Sequence, residues 1–217
     1  MPLSTARSLM LSVAFGLFAA CSTVPDTGPE AVDTAMDSLV TAEWLAANLD
    51  DPDLVVIDAT VLVEPDGEGG VSVVSGRNTY EEGHIPTAGF ADLMGALSDV
   101  DSPLSFALPP PEQFAAAMRA LGVSDDSRVV LYDGGRSVWA ARVWWMLRWI
   151  GFDRAALLDG GRPAWTAQGY SLSTEPVSRP AGTLTVALRP ELIAAQGEVL
   201  AAIGDDATQL VDAMPAA

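Results

Sequence analysis

Lysine is absent from this 217-residue chain: all 11 cationic side chains are arginine, against 29 Asp and Glu, for a formal net charge of −18. So acidic a surface is repelled by nucleic-acid phosphates and by anionic lipid, which removes both as direct partners. Its plain consequence is a solvated exterior. Cysteine and histidine are nearly as scarce, with one of each, Cys21 and His84. One thiol forms no intrachain disulfide, and single Cys and His residues assemble no metal cage, so neither a disulfide framework nor structural zinc is expected and no cofactor is implied. A membrane-spanning run is also missing near the amino terminus. The apolar stretch from Leu9 to Ala20 would reach about 18 Å as a helix, short of a hydrocarbon core of roughly 30 Å.

That stretch follows Arg7 and ends in small residues before Cys21, the layout of an export signal. The segment Phe18-Ala19-Ala20-Cys21-Ser22 resembles a bacterial lipoprotein processing site, with Phe18 where Leu is usual. The resemblance implies that Cys21 becomes a lipidated first residue. The mature protein is then exported, periplasmic or anchored to a membrane through that lipid alone. Residues 1–21 are expected to be the signal peptide. Residues 22–37, rich in Pro, Thr, Asp and Ala without an apolar period, are expected to form a flexible tether.

The body has 49% hydrophobic residues, 18% charged residues and 6 Trp, enough apolar area for one good core. Thr41 is placed to cap a helix carrying Trp44 and Leu45, which Asp51-Pro52 ends. Leu54-Val55-Val56-Ile57 reads as a buried parallel strand. After Pro111 comes a helix with Phe114, Met118 and Leu121 on one face, closed by Gly122, and then a strand at Val129-Val130-Leu131. Ser137 to Ile150 is a Trp-rich helix ended by Gly151, and Ala155 to Leu158 is a strand running into Asp159-Gly160-Gly161. A short helix around Trp165 stops at Gly169. Strands alternating with helices predict an α/β domain, a parallel sheet with helices on both faces. The chain then begins to repeat itself: EWLAANLDDPDLVVIDA is echoed by VLAAIGDDATQLVDA, with Val211-Asp212-Ala213 answering Ile57-Asp58-Ala59. Similarity at a fixed spacing suggests a duplicated domain, here a truncated second copy with a helix within 191–203 and a strand at 209–212.

LYDGGRSVWAARVWW, residues 131–145, puts a glycine turn between a strand and a helix. Backbone N–H groups and a helix N-terminus converge on an anion in such a loop, although the same layout also serves as a tight connection without a ligand. VVLYDGGRSVWAARVWWMLRWIGF, followed by LLDGGRPAWTAQGY and preceded by YEEGHIPTAG, closely resembles the amino-terminal domain of two-domain rhodaneses. These are the thiosulfate and 3-mercaptopyruvate sulfurtransferases, and the likeness runs from about Leu39 to Asp212. It implies a rhodanese-like domain of the non-catalytic type at residues 38–180, with an interdomain linker and the start of the second domain at 181–217. In that family a Cys in the second domain carries sulfur, as a persulfide, from a small anionic donor to a thiophilic acceptor. Backbone donors and a helix dipole favour the thiolate that such chemistry needs.

By the same resemblance Asp133 holds the loop position that Cys takes in the second domain, so no catalytic residue is expected in this chain and its isolated activity is expected to be nil. A carboxylate there can accept the loop N–H bonds in place of a bound anion. The resemblance makes Arg189 the substrate-binding arginine of the intact two-domain arrangement, holding the donor by bidentate contacts; in this chain alone its reading is a solvated surface arginine. His84 becomes an accessory proton-transfer group, with packing of the turn ahead of Pro86 as its structural alternative. Arg136 adds positive potential at the loop. Arg142 is expected to pair with an acid. Trp139, Trp144, Trp145 and Trp149 are expected to be core, and Asp58 and Asp159 to close turns. The alternative to an inactive sulfurtransferase domain is an envelope-tethered module that binds a protein partner or a small oxyanion.

Overall fold

The computed structural model describes residues 37–213. The export signal, Cys21 and the tether up to residue 36 lie outside the described residues.

Five short strands form one parallel sheet: β1 (Leu39–Val40), β2 (Leu54–Asp58), β5 (Gly89–Phe90), β6 (Arg128–Tyr132) and β7 (Ala155–Leu158), in the order β1-β7-β6-β2-β5. The two central strands pair from Leu54 against Arg128 to Asp58 against Tyr132. Both are apolar at nearly every position because both faces of the sheet are covered, and a strand buried on two sides has no solvent face to keep polar. Successive side chains point to opposite layers. Val55, Ile57, Val129 and Leu131 enter one core with α3 (Pro111–Ala120) and α4 (Val138–Trp149), through Phe114, Met118, Val143 and Met146. Leu54, Val56, Val130 and Tyr132 enter the other, with Leu45 of α1 (Ala42–Asn48) and Trp165 of α5 (Gly161–Ala167). Each fully buried side chain of this size contributes about 1.5–3 kcal/mol.

The ends of the helices follow the expected chemistry. Thr41 Oγ1 accepts the Trp44 N–H at 3.1 Å, and Pro111 begins α3, where its missing N–H is not needed. Gly151 ends the α4 turn at φ +94°, and a Cβ there would stand 2.5 Å from the Ala187 carbonyl oxygen. Only glycine fits that approach. Trp149 is buried, and Trp139, Trp144 and Trp145 pack against the same core; the Trp144 indole N–H donates to the Ala155 carbonyl at 2.9 Å.

Several elements go beyond the expectations, among them the short strands β1 and β5, a hairpin and a six-residue helix. A hairpin of β3 (Val61–Pro65) and β4 (Val71–Ser75) forms its own two-stranded antiparallel sheet, its turn held by Asp66 Oδ1 accepting the Glu68 and Gly70 N–H groups at 2.8 and 2.9 Å. α2 (Arg77–Glu82) buries only Tyr80 and has no side-chain cap, so it has no apolar period to read.

One expected element fails. A helix does form within 191–203, as α6 (Gln196–Ala202), but residues 209–212 are not a strand. Val211 is 76% exposed, and Leu200 and Ile203 are more than half exposed. A strand needs a partner for its ladder, and β-branched composition does not replace one. With little buried area, α6 is expected to open easily. In native-state hydrogen exchange, amides of 196–202 should exchange at least about a thousandfold faster than those of 129–131, the difference between local and global opening. Equal protection in the two segments would contradict this.

Candidate functional site

The carboxyl ends of parallel strands are where α/β sheets gather polar groups. Here β2 ends at Asp58, β6 runs into Asp133, and β7 runs into Asp159. Asp159 is exposed, whereas Asp58 and Asp133 are 1% and 2% exposed.

Asp133 is the centre of the loop. Its Oδ1 accepts the N–H groups of Gly135 and Ser137, both at 2.9 Å, and its Oδ2 accepts those of Trp139 and Ala140 at 3.0 and 3.2 Å. These donors span the glycine turn and the first turn of α4, where helix N–H groups lack intrahelical partners and the dipole favours negative charge. Gly135 at φ +120° and Ser137 at φ +57° bend the backbone around the carboxylate. Gly161, at φ +58°, lets α5 close on the loop, since a Cβ there would stand 2.7 Å from the Asp133 carbonyl oxygen. The Arg162 N–H donates to that oxygen at 3.0 Å.

A second polar cluster lies beside the loop. Asp58 Oδ1 accepts the Thr60 N–H at 2.8 Å, closing the turn as expected. The Tyr132 hydroxyl donates to Asp58 and accepts the Ile85 N–H at 3.1 Å. Burial raises the Asp58 carboxyl above the usual carboxylate range, opposed by its bonds to Thr60 and Tyr132 and by the charge of Arg162. Burial, reinforced by Asp58, likewise pushes the Tyr132 phenol well up. Arg162 Nη1 donates to the carbonyls of Gly83 and Thr79 at 3.1 and 3.4 Å, the end of α2. Arg162 therefore ties the Asp133 loop to the turn that carries His84. Sequence reading passed it over, although its place directly after Gly160-Gly161 at a strand end was the available signal.

His84 is 1% exposed and lies stacked on Tyr80, with ring centroids 4.2 Å apart. Its Nδ1 stands 2.9 Å from the Tyr80 carbonyl, which requires the proton on Nδ1. Nε2 is buried without a protein partner. The backbone bonds both ways with Ser173. These contacts enclose the ring within the turn ahead of Pro86.

A cavity of about 520 Å³ opens beside the loop, lined by Thr60, Val61, Leu62, Val63, Asp133, Gly134, Arg136, Val138, Trp139 and Ala213. The exposed Arg136 supplies its cationic side chain. Arg142 does not pair with an acid: its guanidinium donates to the Phe106 carbonyl and leaves Nε buried without a partner, because α4 turns that side chain into the layer under residue 106. Burial lowers its pKa. Arg189 does not line the cavity. It forms a two-bond pair with Asp153, at 2.7 and 2.5 Å.

A model of the rhodanese-like domain matches residues 41–168. The chain belongs to the rhodanese family. It is 40% identical over 178 residues to the 3-mercaptopyruvate sulfurtransferase of Escherichia coli K12, covering 82% of this chain and 61% of that protein. To the thiosulfate sulfurtransferase of Cricetulus griseus it is 32% identical over 181 residues, covering 81% of this chain and 58% of the relative. Among solved structures it is similar to the rhodanese-fold 3-mercaptopyruvate sulfotransferase SseA from Escherichia coli, with a TM-score of 0.73, 39% identity, and coverage of 83% of this chain and 66% of that one. The chain thus spans about three fifths of the length of these curated relatives.

Replacing Asp133 by Ala leaves four amide donors facing an empty, buried seat. Leaving a buried donor without its acceptor costs about 1–3 kcal/mol, so Asp133→Ala is expected to destabilise by at least that much. Asp133→Asn keeps one acceptor oxygen but turns an NH₂ toward the other pair of N–H groups, so it should cost less than Ala but remain clearly destabilising. Urea unfolding checks both. A loss below about 1 kcal/mol for Asp133→Ala, the range of ordinary surface changes, would mean that the carboxylate does not hold the loop.

Proposed function

We propose that residues 38–180 are the non-catalytic domain of a sulfurtransferase that acts on a small anionic donor, thiosulfate or 3-mercaptopyruvate. The observation that carries this reading is the Asp133 carboxylate, which takes four amide donors of the loop. By family resemblance, a Cys occupies that seat in the second domain and becomes the persulfide. Aspartate offers the loop a fixed negative charge but no sulfur nucleophile, so this domain serves as a scaffold and a wall for the donor site. Arg189, just beyond the domain, is assigned to the donor. His84, buried with Nε2 unpartnered, is assigned to packing, and Arg136 to the electrostatic field of the cleft. We further infer that the export signal directs the protein to the cell envelope, periplasmic or lipid-anchored through Cys21.

The second reading, an envelope-tethered module for a protein partner, is favoured by the apolar cavity wall of Val61, Leu62, Val63, Val138 and Trp139. A small-oxyanion module has less support, because the donors an oxyanion would use at the loop already serve Asp133. The test is turnover. The purified 217-residue chain, given thiosulfate and cyanide, should form thiocyanate at the rate of a protein-free blank. Sustained formation above that blank would overturn the non-catalytic assignment.

A further inference from the structure

The cavity of about 520 Å³ beside the loop combines an apolar wall with one cation. Along β3 the wall runs from the core out to solvent: Val61 is 7% exposed, whereas Val63, two residues on and so on the same face, is 55% exposed. The first turn of α4 adds Val138, 56% exposed, and Trp139, whose ring is held against Phe106 with centroids 4.9 Å apart. Exposed apolar side chains around a concave surface gain when a hydrocarbon displaces water from them. Arg136, also exposed, lines the same cavity. Among the described residues its side chain has neither an ion pair nor a hydrogen-bonded acceptor. Elsewhere the guanidinium groups are engaged: Arg128 and Arg189 pair with acids, and Arg142 and Arg162 donate to carbonyls. In a chain of net charge −18, an unengaged guanidinium is a local attraction for an anion against a repulsive background. Asp133 does not take that role from a ligand, since it is 2% exposed and both its oxygens accept loop amides.

We propose that this cavity binds a small monoanion with a hydrocarbon body, of the class of aryl- or branched alkyl-carboxylates. The body lies against Val63, Val138 and Trp139, and the carboxylate meets the Arg136 guanidinium, whose planar fork suits it. The volume falls in the range of small-ligand sites. Charge and walls select together. A neutral hydrocarbon forgoes Arg136, and a second negative charge finds no other cation among the described residues that line the cavity. Thiosulfate, a strongly hydrated dianion without hydrocarbon, gains nothing from Val and Trp walls and loses hydration on entering. The site is therefore separate from the sulfur-donor reading and does not depend on it. It also gives the β3–β4 hairpin a task, which is to hold Val63 over the cavity.

The experiment is an NMR titration of the ¹⁵N-labelled full chain with 3-phenylpropionate, its neutral amide 3-phenylpropanamide, acetate and thiosulfate, at low ionic strength, where screening of exposed charges is weakest. 3-Phenylpropionate should shift the amides of Leu62, Val63, Val138 and Trp139 and bind at least about tenfold tighter than the amide, the worth of one charge-assisted contact. Acetate and thiosulfate should leave those four amides unmoved at equal concentration. Arg136→Gln should bring 3-phenylpropionate down to the level of its amide. Val138→Asp, an exposed change that puts an acid at the start of a helix where it is tolerated, should weaken both aromatic probes. Equal affinity for acid and amide, or undiminished binding of the acid by Arg136→Gln, overturns the role of the cation and with it the proposal. Shifts of the four amides by thiosulfate as large as those by 3-phenylpropionate overturn the ligand class. Absence of shifts at the four positions with every probe overturns the site.

Discussion

The Asp133 carboxylate organises the end of the sheet. Four N–H groups from a glycine turn and a helix N-terminus point at one position, and without an anion there they would be buried donors with no acceptor, an arrangement folded proteins rarely tolerate. The left-handed Ser137 persists because the carboxylate bonds both sides of the turn, while Gly135 takes its positive φ without steric cost. α5 then closes over the loop through Gly161. An anion seat and a tightly closed strand-to-helix connection are therefore the same object in this chain, and the side chain at 133 decides which chemistry it supports.

Around that seat, charge is neutralised locally. Asp58 answers to Thr60 and Tyr132 with Arg162 nearby, and Arg162 in turn spends its side chain on the carbonyls that end α2. Asp153 answers to Arg189. In a chain with 29 acids and 11 bases, carboxylates outnumber the cations available to them. In this rhodanese-family chain the four loop amides and the Arg189 guanidinium are both occupied by carboxylates of the same chain.

Much of this was legible in the residues. The central strands and the helices α1, α3, α4 and α5 follow from buried β-branched runs, a Thr cap, an N-terminal proline and helical spacing of apolar side chains. The hairpin at 61–75 and the six-residue α2 were not, since each buries too little for its pattern to stand out. The strand expected at 209–212 shows the converse limit: a sequence that echoes a buried strand forms none where no neighbour offers a ladder. For the site, a carboxylate accepting the loop amides could be read from Asp133 alone. The contacts of Asp153 and Arg162 could not, even though Arg162 stands out by its place after Gly160-Gly161, because their partners lie 36 and 79 to 83 residues away in sequence and meet only once the sheet has assembled. His84 lay between two readings, and its burial under Tyr80 favours packing.

The central claim is that one buried carboxylate receives the four loop amides. Scalar couplings transmitted through hydrogen bonds test it directly in the isotopically labelled chain. The account predicts measurable coupling from the amide nitrogens of Gly135, Ser137, Trp139 and Ala140 to the single carboxyl carbon of Asp133. Loss of those couplings, together with solvent-exchanging amides at the four positions, would contradict it.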